Sequence, residues 1–149
     1  MALELAIQKT RLRDLVQSMY DEGIVDVQFC QLQAFKESMG PDYVVRSVTS
    51  YCVFIRNLFI DLTNHISQVN VNFCAVSIAA RDLYERTDSI GAVHVKLACA
   101  ELLRASEANS SEDCSQALYW TKSAFSKLQR KLQTLVQIER KIIELEGRF

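Results

Sequence analysis

The sequence is short of the residues that interrupt helices. Its 149 residues include one proline and four glycines, where average usage gives roughly seven and ten. That scarcity excludes a β-sandwich or barrel, which needs a turn every few residues. It also excludes a long disordered tail or linker, which would be rich in polar breakers. Neither sign of charge is in excess. With 17 basic side chains against 18 acidic ones and a net charge of −1, the basic footprint of a nucleic-acid binder is missing. No run approaches the ~18 apolar residues of a membrane span. The opening MALELAIQKTRLRDL carries Glu4 and Lys9 and lacks the apolar stretch of a signal peptide. The five cysteines, Cys30, Cys52, Cys74, Cys99 and Cys114, form no CxxC pair, and only His65 and His94 are available to complete a metal site. No metal centre is expected from such spacing. Small reduced thiols in or near a core are the simpler reading, and they suit a reducing compartment. A soluble intracellular protein without nucleic-acid or membrane partners is expected.

What is present is helical periodicity. A hydrophobic content of 49% supports the core of a single domain over residues 1–149. Leu5, Leu12, Leu15 and Met19 predict a first helix over about residues 3–20, interrupted by Asp21, Glu22 and Gly23. Asp26 is placed to cap a second helix with Phe29, Leu32 and Phe35 as its apolar stripe. Gly40 and Pro41 end it, and Pro41 is expected in the first turn of the next helix. Val45, Val48, Cys52, Ile55, Phe59, Leu62 and Ile66 step by 3 and 4, a buried stripe about 37 Å long at 1.5 Å per residue. Phe73, Val76, Ala80, Leu83 and Thr87 mark a fourth helix, and Ile90, Val93, Leu97 and Ala100 a fifth following Ser89. The last starts near Ser110 or Ser111, with Glu112 and Asp113 favourable in its first turn and Leu118, Thr121, Phe125, Leu128, Leu132, Leu135 and Ile142 on one face. These elements predict an all-α fold of six helices. Its C-terminal part is an up-down four-helix bundle, and the two N-terminal helices pack at one end of it.

Several chemistries are missing. No Glu-x-x-His pair occurs, which sets aside a di-iron bundle enzyme. No Walker loop occurs, and the glycines are too scattered for a phosphate cradle. No local signature supports a Ser or Cys nucleophile with a His base. His65 and His94 read as half-exposed helix residues. No cofactor is implied.

Two stretches resemble a known family. GIVDVQFCQLQ, Gly23 to Gln33, resembles the N-terminal signature of plant histidine-containing phosphotransfer proteins, which reads about GILDxQFxQLQ. DSIGAVHVKLAC, Asp88 to Cys99, resembles their SSIGAxxVKxxC segment. The register holds from about Leu15 to Leu145, including the ES…PDYV stretch between helices two and three. The resemblance implies six helices with a C-terminal four-helix bundle and a monomer resident in cytoplasm and nucleus. Its partners would be the receiver domains of sensor kinases and response regulators, notably in cytokinin signalling.

The departure falls at the centre of the motif. Where the family reads HQLKGSSxSIGA, this chain reads RDLYERTDSIGA. Counting back from Gly91 puts Arg81 where the family has its phospho-accepting histidine, Tyr84 at the lysine and Glu85 at the glycine. The apolar frame of Ala80, Leu83 and Thr87 is kept. A neutral imidazole nitrogen can attack an acyl phosphate. A guanidinium is always protonated and offers no lone pair, so phosphoryl acceptance at Arg81 is expected to be absent. Glu85 removes space for close backbone approach and adds up to about 1 kcal/mol of local helix stability over glycine. A carboxylate about 6 Å from one charge of an acidic receiver pocket costs roughly 1–3 kcal/mol. Arg81 opposes that, and an Arg81–Glu85 pair four residues apart would contribute a few tenths of a kcal/mol. The register identifies a pseudo-phosphotransfer protein that occupies receiver domains and dampens the relay. Ile24, Gln28, Gln31 and Phe35 on helix two, with Arg81, Tyr84 and Glu85 on helix four, are the expected docking residues. Two alternatives stand beside it: phosphotransfer through His94, and a helical interaction module for an unrelated partner. Without the register, Arg81, Asp82, Glu85 and Arg86 read simply as a solvated helix face.

Overall fold

A computed structural model of the chain describes residues 2–147. Six helical stretches follow one another, and a single antiparallel bridge, Val25 to Ala92, is the only extended pairing among the described residues. Helix α1 runs Ala2–Asp21. The second stretch, α2, is segmented into an α-turn Val27–Gln31, a 3-10 turn Leu32–Phe35 and a further α-turn Lys36–Met39. Then come α3 (Tyr43–Ile66), α4 (Phe73–Ile90), α5 (Val93–Glu107) and α6 (Ser111–Glu146).

The caps explain most of the boundaries. Asp26 accepts from the amides of Gln28 and Phe29, Asn72 from Ala75, and Ser110 from Asp113; each satisfies amide donors that the first helical turn leaves unpaired. Pro41 stands before α3 rather than in it, in the turn ahead of Tyr43. Its fixed φ suits that turn as well as it would a first helical turn. Ile90 closes α4, and α5 begins at Val93, because Gly91 takes a left-handed φ of 82° that ends the helix.

Helices α3, α4, α5 and α6 form the up-down bundle, and α1 packs along α6. The α3 stripe is buried as expected from Val45 to Ile66. The α5 stripe differs: Val95, Ala98, Cys99, Leu102 and Ala105 are buried, while Leu97 and Ala100 are exposed. Phe35 is also exposed, its ring edge-on to Tyr43 at 5.8 Å. Inside the bundle, Phe125 meets Tyr51 and Phe59 edge-to-face at 6.1 and 5.7 Å. The Tyr51 hydroxyl is paired with Thr87 Oγ1 at 2.9 Å, so the buried phenol is satisfied.

With 36 residues, α6 is about 54 Å long. It outreaches the 15-residue α5, and its C-terminal part supports the N-terminal helices. Glu4 with Lys141 (3.8 Å) and Lys9 with Glu146 (3.9 Å) tie α1 there at the surface. Beneath α2, Glu139 is fully buried. Its Oε1 accepts from Lys36 Nζ at 2.6 Å and Gln33 Nε2 at 2.9 Å, while its buried Oε2 has no hydrogen-bond partner.

Candidate functional site

The α4 sequence sorts its side chains by angle. Val76, Ala80, Leu83 and Thr87 point into the bundle. At 100° per residue the opposite face carries Ile78, Arg81 and Glu85, all exposed. The flanks lean on neighbouring helices. Toward α3, the Arg86 guanidinium lies 4.2 Å from the Phe54 ring centroid. Toward α5, Lys96 Nζ sits 2.7 Å from Asp88 Oδ1 and 5.8 Å from the Tyr84 ring centroid. Asp88 accounts for the raised Lys96 pKa, chiefly by hydrogen bonding to the ammonium. Tyr84 is half-buried beneath that lysine, so its ring packs against the core instead of standing free.

Arg81 makes no hydrogen bond, ion pair or ring contact among the described residues. The expected Arg81–Glu85 pair does not form: both side chains are exposed, and in water the attraction is too small to hold two long side chains in one geometry.

On α2, Gln28, Gln31 and Phe35 are exposed at spacings of 3 and 4. Ile24 is set apart from them. It precedes the helix, is half-buried, and borders a groove with Glu22, His94, Val95, Lys127 and Leu128. No hydrogen bond, ion pair or ring contact among the described residues joins the α2 side chains to Arg81, Tyr84 or Glu85. What fixes α2 relative to α4 is backbone. The Asp26 amide donates to the Gly91 carbonyl at 2.9 Å, and the Val93 amide donates to the Ile24 carbonyl at 3.0 Å. A Cβ at position 91 would come within 2.2 Å of Asp26 Oδ1 and 2.8 Å of the Phe29 amide nitrogen. The two stretches that carry the family resemblance are therefore the two sides of one clasp.

His65 is half-buried in the last turn of α3, and His94 is exposed in the first turn of α5. Burial pushes the Cys99 thiol up to about 12 and raises Cys52 and Cys114 as well, which makes them poor nucleophiles. No cluster of three or more His, Cys, Asp or Glu able to hold a metal occurs among the described residues. Sequence reasoning missed Glu139, although the signal was present. It falls four residues after Leu135 and three before Ile142 on the α6 apolar face, where a carboxylate needs a dedicated partner.

No protein-family model matches the chain. Comparison with known proteins and structures does find relatives. Histidine-containing phosphotransfer protein 1 of rice (Oryza sativa subsp. japonica) is 30% identical over 133 residues, covering 89% of this chain and 90% of that protein. The chain belongs to the histidine-containing phosphotransfer protein family. Its members are phosphotransfer proteins of the plant phosphorelay. A crystal structure of a rice family member superposes with a TM-score of 0.88 at 30% identity, covering 93% of this chain and 98% of that one. Relatives of a second kind also match: pseudo histidine-containing phosphotransfer protein 6 of Arabidopsis thaliana is 25% identical over 137 residues, 89% of this chain and 87% of that protein.

Proposed function

We propose that the chain is a pseudo-phosphotransfer protein: it docks the receiver domains of a cytokinin-type phosphorelay as a monomer, in cytoplasm and nucleus, and dampens signalling by competing with active phosphotransfer proteins. The observation that carries this reading is Arg81. It stands in the middle of the solvent face of α4, at the position that the register of the motif gives to the phospho-accepting histidine, and a guanidinium has no lone pair with which to attack an acyl phosphate. The retained clasp between Asp26 and Gly91 supports docking, because it presents Gln28, Gln31 and Phe35 in a fixed relation to α4. Ile24, Tyr84 and Glu85 complete the proposed contact surface.

The test is a transfer-competition assay. A phosphorylated receiver is mixed with an active family member, with and without this protein. Slower transfer at stoichiometric protein, with no label on the chain itself, is the expected result. An absence of both binding and slowing overturns the inhibitor reading and favours an unrelated partner. His94 is exposed, so it provides the rival outcome: acid-labile phosphorylation that disappears in His94→Ala would establish an active phosphotransfer protein.

A further inference from the structure

Competition for receivers leaves open which state of the receiver is selected, and the charges around α4 bear on that. Lys96 is engaged by Asp88 at 2.7 Å, and Arg86 lies over Phe54 at 4.2 Å. Arg81 precedes Arg86 and Asp88 along α4 on the exposed face, and nothing within the described residues engages it. Glu85 is one turn further along and leaves it free. An unengaged guanidinium presents five N–H donors in a planar fork that matches phosphate oxygens bidentately. If the receiver docks as proposed above, the group it brings to this position when phosphorylated is a phosphoryl group on an aspartate.

We propose that Arg81 is a phosphoryl-recognition site: it binds the acyl phosphate of a phosphorylated receiver, so that the chain selects phosphorylated receivers over unphosphorylated ones. The inference rests on the docking reading above and adds a state preference to it. No bond to phosphorus forms or breaks. The phosphoryl group stays on the receiver aspartate, held by hydrogen bonds from a residue unable to accept it. Glu85 does not cancel the attraction. Phosphoryl oxygens in hydrogen-bond reach of the guanidinium lie about 3 Å from its nitrogens, while Glu85 is displaced by about one helical turn, or about 5–6 Å, and Coulomb interaction weakens with distance. In the unphosphorylated receiver the fork has no phosphate to match; Arg81 still offsets Glu85 against the acidic pocket, so the preference between the two states comes from the phosphate contact itself.

The experiment titrates the intact protein against a response-regulator receiver domain with Mg²⁺ in two states, untreated and with beryllofluoride on its phospho-accepting aspartate as the acyl-phosphate mimic. The expected result is about tenfold tighter binding of the beryllofluoride form, as one charge-assisted bidentate contact would give. Arg81→Ala should bring the two affinities together, and Arg81→Lys, a point charge without the fork, should retain only part of the difference. Position 81 is exposed, so the circular dichroism of both variants should match that of the parent. Equal affinity for both states, or a preference that survives Arg81→Ala, overturns the phosphoryl site while leaving docking intact. Absence of binding in either state overturns docking and this inference with it.

Discussion

At the scale of single residues, the molecule separates a frame that tolerates nothing from a chemical face that tolerates much. Gly91 belongs to the frame. Its φ of 82° is already costly for a side chain, and any Cβ would strike the Asp26 carboxylate and the Phe29 amide. Gly23 has a similar φ of 74°, but a Cβ there would meet nothing within 4 Å. Gly91→Ala should therefore lower stability by about 3 kcal/mol or more, adding loss of the α2 cap to backbone strain, whereas Gly23→Ala should cost about 1–2 kcal/mol. Urea midpoints of the two variants check the contrast, and equal losses would mean that α2 moves aside at no cost. Arg81 belongs to the other class. Its role is not legible in composition or periodicity, since an exposed arginine on a helix is ordinary in both; only its register against a motif on either side marks it.

At the scale of elements, legibility followed the regularity of the spacing. The α3 stripe was readable because it is built of Val, Ile, Leu and Phe at strict helical spacing. The α5 stripe was misplaced: the buried face is Val95, Ala98, Cys99, Leu102 and Ala105, while the expected Leu97 faces solvent. The expected stripe counts on from Ile90, which belongs to α4, so its register on α5 is wrong although Val95 and Leu102 are there to be read. The α2 stretch shows the same limit, with Asp26 read correctly as a cap but the 3-10 turn at Leu32–Phe35 rotating Phe35 outward. On α4 the separation of faces has a consequence. Arg81→His, Tyr84→Lys and Glu85→Gly leave Val76, Ala80, Leu83 and Thr87 in place, so the triple variant should fold, losing about 1 kcal/mol at the glycine. It should regain phosphoryl acceptance from a receiver, with Arg81→His alone regaining less. Acid-labile labelling measures both, and a triple variant that stays unlabelled would show that the proposed docking surface departs from the family's beyond these three positions.

At the scale of the whole molecule, the bundle is a set of protonated groups held from water. Burial raises the pKa of Tyr51 and lifts Cys99 from 9.0 to about 12. Above pH 9 the unfolded chain loses these protons first, so it binds fewer than the folded chain and stability falls as pH rises, by a few kcal/mol across the interval from about 9 to 12. Denaturation series at pH 8, 9.5 and 11 should show the decline, and Cys99→Ala should flatten part of it. A final consequence follows from Glu139. Among the described residues its carboxylate is bonded only by Lys36 and Gln33 of α2, and its second oxygen has no hydrogen-bond partner. Should α2 lift away, a buried charge would lose both of its donors at once, so intermediate degrees of lifting are penalised more than either end state. The α2 stretch thus opens and closes as one cooperative unit, and a partner gripping any part of it would slow the exchange of all its amides together.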